Sequence, residues 1–141
     1  MIVLDTNIVS EISHERTNPA VAAWLGKQEE NDLYLCIPVV AELSFGARRF
    51  LLRNRNAKHL VAYERLVHGH FHNRVLPMDV IAAEKYGELY AAREASGRPI
   101  GIMDAMIAAI CLANDATLAT RNVRDFDGLD LKLVNPFEAG D

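Results

Sequence analysis

The sequence has no apolar run approaching the roughly 18–20 residues that a bilayer-spanning helix needs. Its N-terminus offers only Ile2-Val3-Leu4 before the charge of Asp5, too short for the apolar core of a secretory leader. No membrane association is expected, and a cytoplasmic protein is. Cysteine is scarce too: Cys36 and Cys111 lie far apart, form no CxxC pair and sit inside apolar runs. They read as reduced core residues, which argues against a disulfide-dependent secreted fold. Internal repeats, low-complexity tracts and linkers are missing. There is no excess of positive charge either, because 15 Lys and Arg stand against 19 Asp and Glu, a net charge of −4. A nucleic-acid-binding domain usually has a pI above about 9, so the pI near 5.7 argues against one.

What is present supports a single domain over residues 1–141. The chain is 50% hydrophobic, enough for a real core at this length. The charge is not evenly spread. Residues 48–74 hold seven bases (Arg48, Arg49, Arg53, Arg55, Lys58, Arg65, Arg74) and one acid, Glu64. That leaves eight bases against eighteen acids elsewhere. The acids and the bases therefore need separate explanations.

Short apolar runs at Met1-Leu4, Leu33-Ile37, Val75-Leu76, Thr117-Thr120 and Leu131-Val134 read as strands. Between them lie helical patterns. Thr6-Asn7 can cap a short helix carrying Ile8, Val9 and Ile12. Asn18-Pro19 reads as the start of a second, with Val21, Trp24 and Leu25 inward. Pro38 opens a long helix to about Leu52, and the basic stretch continues as a polar helical segment to a turn at His68-Gly69-His70. Asp79 caps a helix to about Ser96, closed by Gly97, and Gly101–Asn114 contains the last. Strands alternating with helices predict an α/β fold with a mainly parallel sheet. In such sheets chemistry collects beyond the carboxyl ends of the strands, at a switch point.

Three acids stand out by context. Asp5 ends the first apolar run, and Glu42 sits among Val39-Val40-Ala41 and Leu43. Asp104 is the one charge between Pro99 and Asn114, and shares a helix face with Ile107, Ala108 and Cys111. Removing an ionised carboxylate from water costs several kcal/mol unless it is paired, hydrogen-bonded or metal-bound. No Lys or Arg lies on these stretches. Helix capping would account for Asp5 or Asp104 alone, at about 0.3–1 kcal/mol each. It accounts poorly for Glu42, about a turn inside its helix. Three such acids favour one shared site. An all-carboxylate site suits hard cations, Mg2+ or Mn2+ in its place, and the matching chemistry is phosphodiester hydrolysis.

At these residues the sequence resembles a PIN-domain ribonuclease, in particular the VapC-type toxins of type II toxin–antitoxin pairs. The resemblance rests on Leu4-Asp5-Thr6-Asn7, Val40-Ala41-Glu42-Leu43, Ile100-Gly101-Ile102-Met103-Asp104-Ala105-Met106-Ile107-Ala108 and Leu118-Ala119-Thr120-Arg121-Asn122 with Asp125-Phe126. Each is weak alone; their order and spacing across nearly the whole chain are specific. The resemblance implies a Rossmann-like parallel sheet of order 3-2-1-4-5 flanked by helices. It implies Asp5, Glu42 and Asp104 as catalytic acids of an Mg2+ site, Asp5 and Asp104 touching metal. Thr6 or Thr120 would hold a water and Asn7 would position the site. Many relatives have Asp where Asn122 stands, so Asp125, three residues on, is preferred as the fourth catalytic acid. The competing reading of Asp125 is a cap for the segment at Phe126. The resemblance also implies a homodimer and a cognate VapB-type antitoxin, through which alone operator DNA is bound, with RNA as substrate.

Residues 48–74 read either as a solvated helix or as a phosphate-contacting surface, with Arg48 and Arg49 as RNA-binding candidates because Arg49 follows Glu42 by seven residues. His68, His70 and His72 alternate but have no carboxylate or thiol beside them, so an exposed loop is preferred to a metal clip. Trp24, Tyr86 and Tyr90 fit packing positions. Three other functions fit parts of the sequence. A non-catalytic partner-binding module would have no reason to keep three isolated acids. A HAD-like phosphatase needs a second Asp where Asn7 stands. A housekeeping RNA-processing nuclease has the same residues as a toxin.

Overall fold

The computed structural model describes residues 1–138. Five short parallel strands form one sheet: β1 (Ile2–Leu4), β2 (Leu33–Cys36), β3 (Val75–Leu76), β4 (Thr117–Ala119) and β5 (Leu133–Val134). Their order is β3-β2-β1-β4-β5, the expected 3-2-1-4-5 arrangement. β1 is central, with Val3 opposite Tyr34 of β2 on one side and Leu118 of β4 on the other. Helices cover both faces, which explains why the inner strands are apolar throughout rather than alternating. Val3, Leu4, Leu35, Cys36, Leu118 and Ala119 are all fully buried.

The helices are α1 (Thr6–Ile12), α2 (Pro19–Gly26), α3 (Ile37–Asn54), α4 (Lys58–Glu64), α5 (Val80–Ala95) and α6 (Ile102–Ala113). Asn18 caps α2 as expected, its side chain accepting from Ala20 and Val21 N–H. Asp79 caps α5 through Ala82 N–H, and Gly97 follows that helix at φ 71°, a left-handed conformation natural to glycine. α6 buries Ile107, Ala108 and Cys111 completely, the face that Asp104 shares. Among the described residues, no helix is long and apolar enough to cross a membrane.

Four local expectations need correction. The cap of α1 is Asp5, not Thr6 or Asn7: those two are already helical, and the Asp5 side chain accepts from Thr6 N–H. Ile37 starts α3 rather than ending β2, and β5 is confined to Leu133–Val134. The break expected in the basic stretch after about Leu52 is found at Arg55. Arg55 turns left-handed at φ 51° and ends α3 by donating its N–H to Leu51, after which α4 begins afresh. The histidines do not form an extended loop but lie in and just after a π-helical turn, Arg65–His70. Their partners diverge: His68 faces Glu64, His70 faces Glu30, and the His72 ring meets the Gly69 carbonyl.

Arg74 also leaves the proposed RNA-facing set. It is 8% exposed, lies over the Phe71 ring, and donates to the carbonyls of Glu30, Leu33 and His70. Its charge ties the start of β3 to the turn before β2. This is a structural clamp.

Candidate active site

The strand order turns outward in both directions from β1, so the switch point lies at the carboxyl ends of β1 and β4. The first residues beyond those strands are Asp5 and Thr120. Asp5 N–H donates to the Ala119 carbonyl at 2.9 Å, and Thr120 N–H donates to Val134 at 3.0 Å. The ladder thus continues one residue past each strand and fixes both side chains at the sheet edge.

Asp5 is 5% exposed and well coordinated. Its Oδ1 accepts from Thr6 N–H at 2.7 Å. Its Oδ2 accepts from the Thr120 hydroxyl at 2.7 Å and from the Asn7 amide at 3.4 Å. Asn7 in turn accepts from Arg121 N–H at 3.2 Å, and Thr120 Oγ1 accepts from Asn122 N–H at 3.1 Å. The loop after β4 is therefore pinned to Asp5 through two side chains. Thr6 hydroxyl donates to Glu42 Oε1 at 2.8 Å, joining the start of α1 to α3. Both threonine protons are committed to carboxylates, so Thr6 and Thr120 orient the acids.

Asp104 lies in the first turn of α6, and Asp125 in a 3-10 turn, Val123–Phe126, anchored by the buried Phe126 ring. Both line one cleft of about 440 Å3, with Gly101 in its wall. Asp125 does not cap its turn. Among the described residues its carboxylate makes no hydrogen bond or ion pair, and the residue before the turn is Asn122. The Asn122 side chain is exposed, and its backbone N–H supplies the bond to Thr120.

The electrostatics tie the four acids together. Burial, and then the charges of Asp5, Asp125 and Glu42, push the Asp104 carboxyl up to about 6. Burial also raises Asp5, against the pull of its three hydrogen bonds. Among the described residues, no Lys or Arg forms an ion pair with any of the four. Burial and the neighbouring negative charges disfavour ionisation of Asp104, and a hard divalent cation beside it would relieve this. The donors fit Mg2+ in kind, being all oxygen. As placed, no three His, Cys, Asp or Glu side chains among the described residues close around one ion.

Arg48 and Arg49 do not join this cluster. Both are exposed on α3, and Arg49 lies over the exposed Phe45 ring at 4.9 Å. Neither lines the cleft beside Asp104 and Asp125, nor a second groove of about 420 Å3 that runs from Thr6 and Glu42 past Phe50 and Tyr63.

Sequence reasoning missed Arg93. It is 7% exposed on α5, and its guanidinium donates to the carbonyls of Asp125 at 3.1 Å and Asp127 at 2.6 Å. A third bond goes to Arg98 at 3.4 Å. Arg93 thus fixes the turn that carries Asp125. The one available signal was an arginine four residues after Leu89, on the inward face of its helix.

Comparison with known proteins gives the family and the fold. Residues 2–131 match the PIN domain family. A VapC ribonuclease, Y4jK, of Sinorhizobium fredii is 38% identical over 145 residues, covering 98% of this chain and 99% of that one. Toxin FitB of Neisseria gonorrhoeae is 36% identical over 140 residues, covering 97% and 99%. Among solved structures, FitAB bound to an IR36 DNA fragment superposes with a TM-score of 0.87 at 33% identity, covering 100% of this chain and 99% of that one.

Proposed function

The chain belongs to the PIN-domain family, among its VapC- and FitB-type toxins, and from that premise we propose that it is an Mg2+-dependent ribonuclease acting as the toxin of a VapBC-type pair. The observation that carries the proposal is the cluster of Asp5, Glu42, Asp104 and Asp125, whose charges reinforce one another with no cationic side chain to balance them. Asp5 and Asp104 would hold the ion, Mg2+ or Mn2+. A divalent ion there supplies the positive charge that offsets negative charge developing on phosphate oxygens, and makes water a competent nucleophile near neutral pH. Glu42 and Asp125 add negative charge around it. Thr6, Asn7 and Thr120 hold the acids in place before substrate arrives, so little reorganisation is needed during reaction. The outcome is hydrolysis of an RNA phosphodiester to a 5′-phosphate and a 3′-hydroxyl, with no requirement for the 2′-hydroxyl.

The partners follow from the same premise. A cognate VapB-type antitoxin would hold the toxin as a homodimer, block the acidic cleft, and supply the contact with operator DNA, as FitAB is seen bound to DNA. The groove beside Glu42, apolar along Phe50, Ala62 and Leu66, offers an antitoxin segment a surface adjoining the acids.

The test is cleavage of total cellular RNA by purified protein with Mg2+, with Mn2+ and with EDTA, beside Asp5→Asn and Asp104→Asn. Products carrying 5′-phosphates, lost in EDTA and in both variants, are expected. Cleavage that persists in EDTA or in both variants overturns the reading. Metal-independent antitoxin binding with no cleavage under any condition would identify a non-catalytic PIN module instead.

A further inference from the structure

The cleft that Asp104 and Asp125 line is also lined by three arginines, Arg93, Arg98 and Arg124. None of the three pairs with either acid. Arg93 has its guanidinium committed to backbone carbonyls, as above. Arg98 is exposed and meets only the exposed Asp127, at 3.9 Å, a contact worth little in solvent. Arg124 is exposed and makes no ion pair among the described residues.

These positions are held by the fold. Arg98 donates its N–H to the Arg93 carbonyl at 3.0 Å and accepts from the Arg93 side chain. Its guanidinium packs close to Gly128, where φ is 78° and a side-chain carbon would stand 3.4 Å from Nη1. Arg124 sits in the same 3-10 turn as Asp125, whose carbonyl Arg93 holds. One buried arginine thus braces two loops, and each presents an exposed arginine at the cleft beside two catalytic carboxylates.

Positive and negative groups facing one cleft without pairing are suited to a ligand that carries both requirements. A polyanionic strand does so when a divalent cation balances the carboxylates. Resting on the ribonuclease reading, we propose that this cleft binds a backbone phosphate of the RNA strand adjoining the scissile bond, contacted by Arg98 and Arg124. Arg93 is a positioning residue for both. The phosphate-binding arginines are therefore on the loops after α5 and β4, and the basic stretch of residues 48–74 is not where the strand is gripped. A guanidinium fork suits this role because it can meet two phosphate oxygens at once.

The experiment measures binding of a fluorescein-labelled, mixed-sequence single-stranded RNA by anisotropy, in an Asp5→Asn background so that the probe stays intact. KCl is varied at one fixed Mg2+ concentration. Arg98→Gln and Arg124→Gln are each expected to weaken binding about fivefold to tenfold, and to make the dependence of log affinity on log salt shallower by up to about 0.7 per lost phosphate contact. Arg98→Lys and Arg124→Lys should restore the salt dependence, which a purely structural role would not predict. Arg48→Gln with Arg49→Gln should leave both quantities unchanged. Parental affinity and salt dependence in the folded Arg98→Gln, Arg124→Gln double variant overturn the inference. So does an effect of equal size from the Arg48, Arg49 pair. If the unsubstituted chain cleaves RNA with Mg2+ in the same series, those results refute the arginine site alone. If it neither binds nor cleaves RNA, the ribonuclease reading falls and the arginine site with it.

Discussion

Neutralising Asp104 should stabilise the metal-free protein, and the size and pH dependence of the gain can be worked from its surroundings. Burial and the charges of Asp5, Asp125 and Glu42 move its carboxyl from 3.8 to about 6. The unfolded chain releases this proton near pH 4 and the folded chain near pH 6. Between those values the folded state holds the extra proton. The associated stability is complete below pH 4 and is lost as pH rises through 6. At 1.36 kcal/mol per pH unit, the full difference is about 3 kcal/mol. The side chain keeps part of its hydration, so about 1.5 kcal/mol is a fairer figure. In EDTA at pH 7.5, Asp104→Asn should then raise the melting temperature by about 3–6 °C. The gain should shrink below pH 6 and nearly vanish at pH 4. Saturating Mg2+ or Mn2+ reverses the order. Ion at a hundred times its Kd stabilises the unsubstituted protein by about 2.7 kcal/mol, and the variant by much less. Differential scanning fluorimetry over a pH series, with and without metal, reads all of this. A gain that is absent in EDTA, or equal at pH 4 and pH 7.5, would refute the mutual repulsion on which the metal site is argued.

Arg93→Gln should cost about 2–3 kcal/mol in denaturant titration, because the carbonyls of Asp125 and Asp127 lose a charged donor. In RNA cleavage it should both lower kcat and raise KM, since the loops carrying Asp125, Arg98 and Arg124 are displaced; unchanged kcat and KM would remove its positioning role. Arg74→Met should cost about 2–4 kcal/mol by leaving three carbonyls without their donor, measured the same way, with cleavage by the folded protein unaffected. Cys36, whose thiol burial pushes up to about 12, and Cys111, which burial raises well above the ordinary thiol value, should resist aromatic disulfide reagents at pH 8 until denaturant is added. Rapid reaction of either in the native protein would contradict the buried, reduced assignment.

The legibility of this protein in its sequence follows the physics of each feature. The strands were readable because a parallel sheet covered on both faces demands unbroken apolar runs, as at Ile2–Leu4 and Leu33–Cys36. Caps such as Asn18-Pro19 were readable because one residue and its neighbour decide them. The acids were readable because a lone carboxylate in an apolar run is expensive, whatever the fold. The bases were not, because arginine carries no such mark. Arg74 and Arg93 are buried through carbonyls 32 to 44 residues away for their longest contacts, and nothing local signals them. Counting charge along residues 48–74 therefore placed a clamp, Arg74, among surface residues and overlooked Arg98 and Arg124. Their role depends on two loops meeting, which is a property of the tertiary structure.

Capping and metal binding were opposed readings of Asp5, and the geometry reconciles them. An ionised carboxylate offers about four lone-pair positions. Thr6 N–H takes one on Oδ1, and the Thr120 hydroxyl and the Asn7 amide share Oδ2. The three bonds fix the plane of the group and leave an acceptor position on Oδ1. Capping is therefore what orients the remaining position. It also offsets part of the burial that raises the pKa of Asp5, since all three bonds favour the charged form. A residue performing the cap alone could be Asn or Ser at a cost of a few tenths of a kcal/mol. The added burden of burial and of the Asp125 charge is the cost that the proposed cation would offset at Asp5.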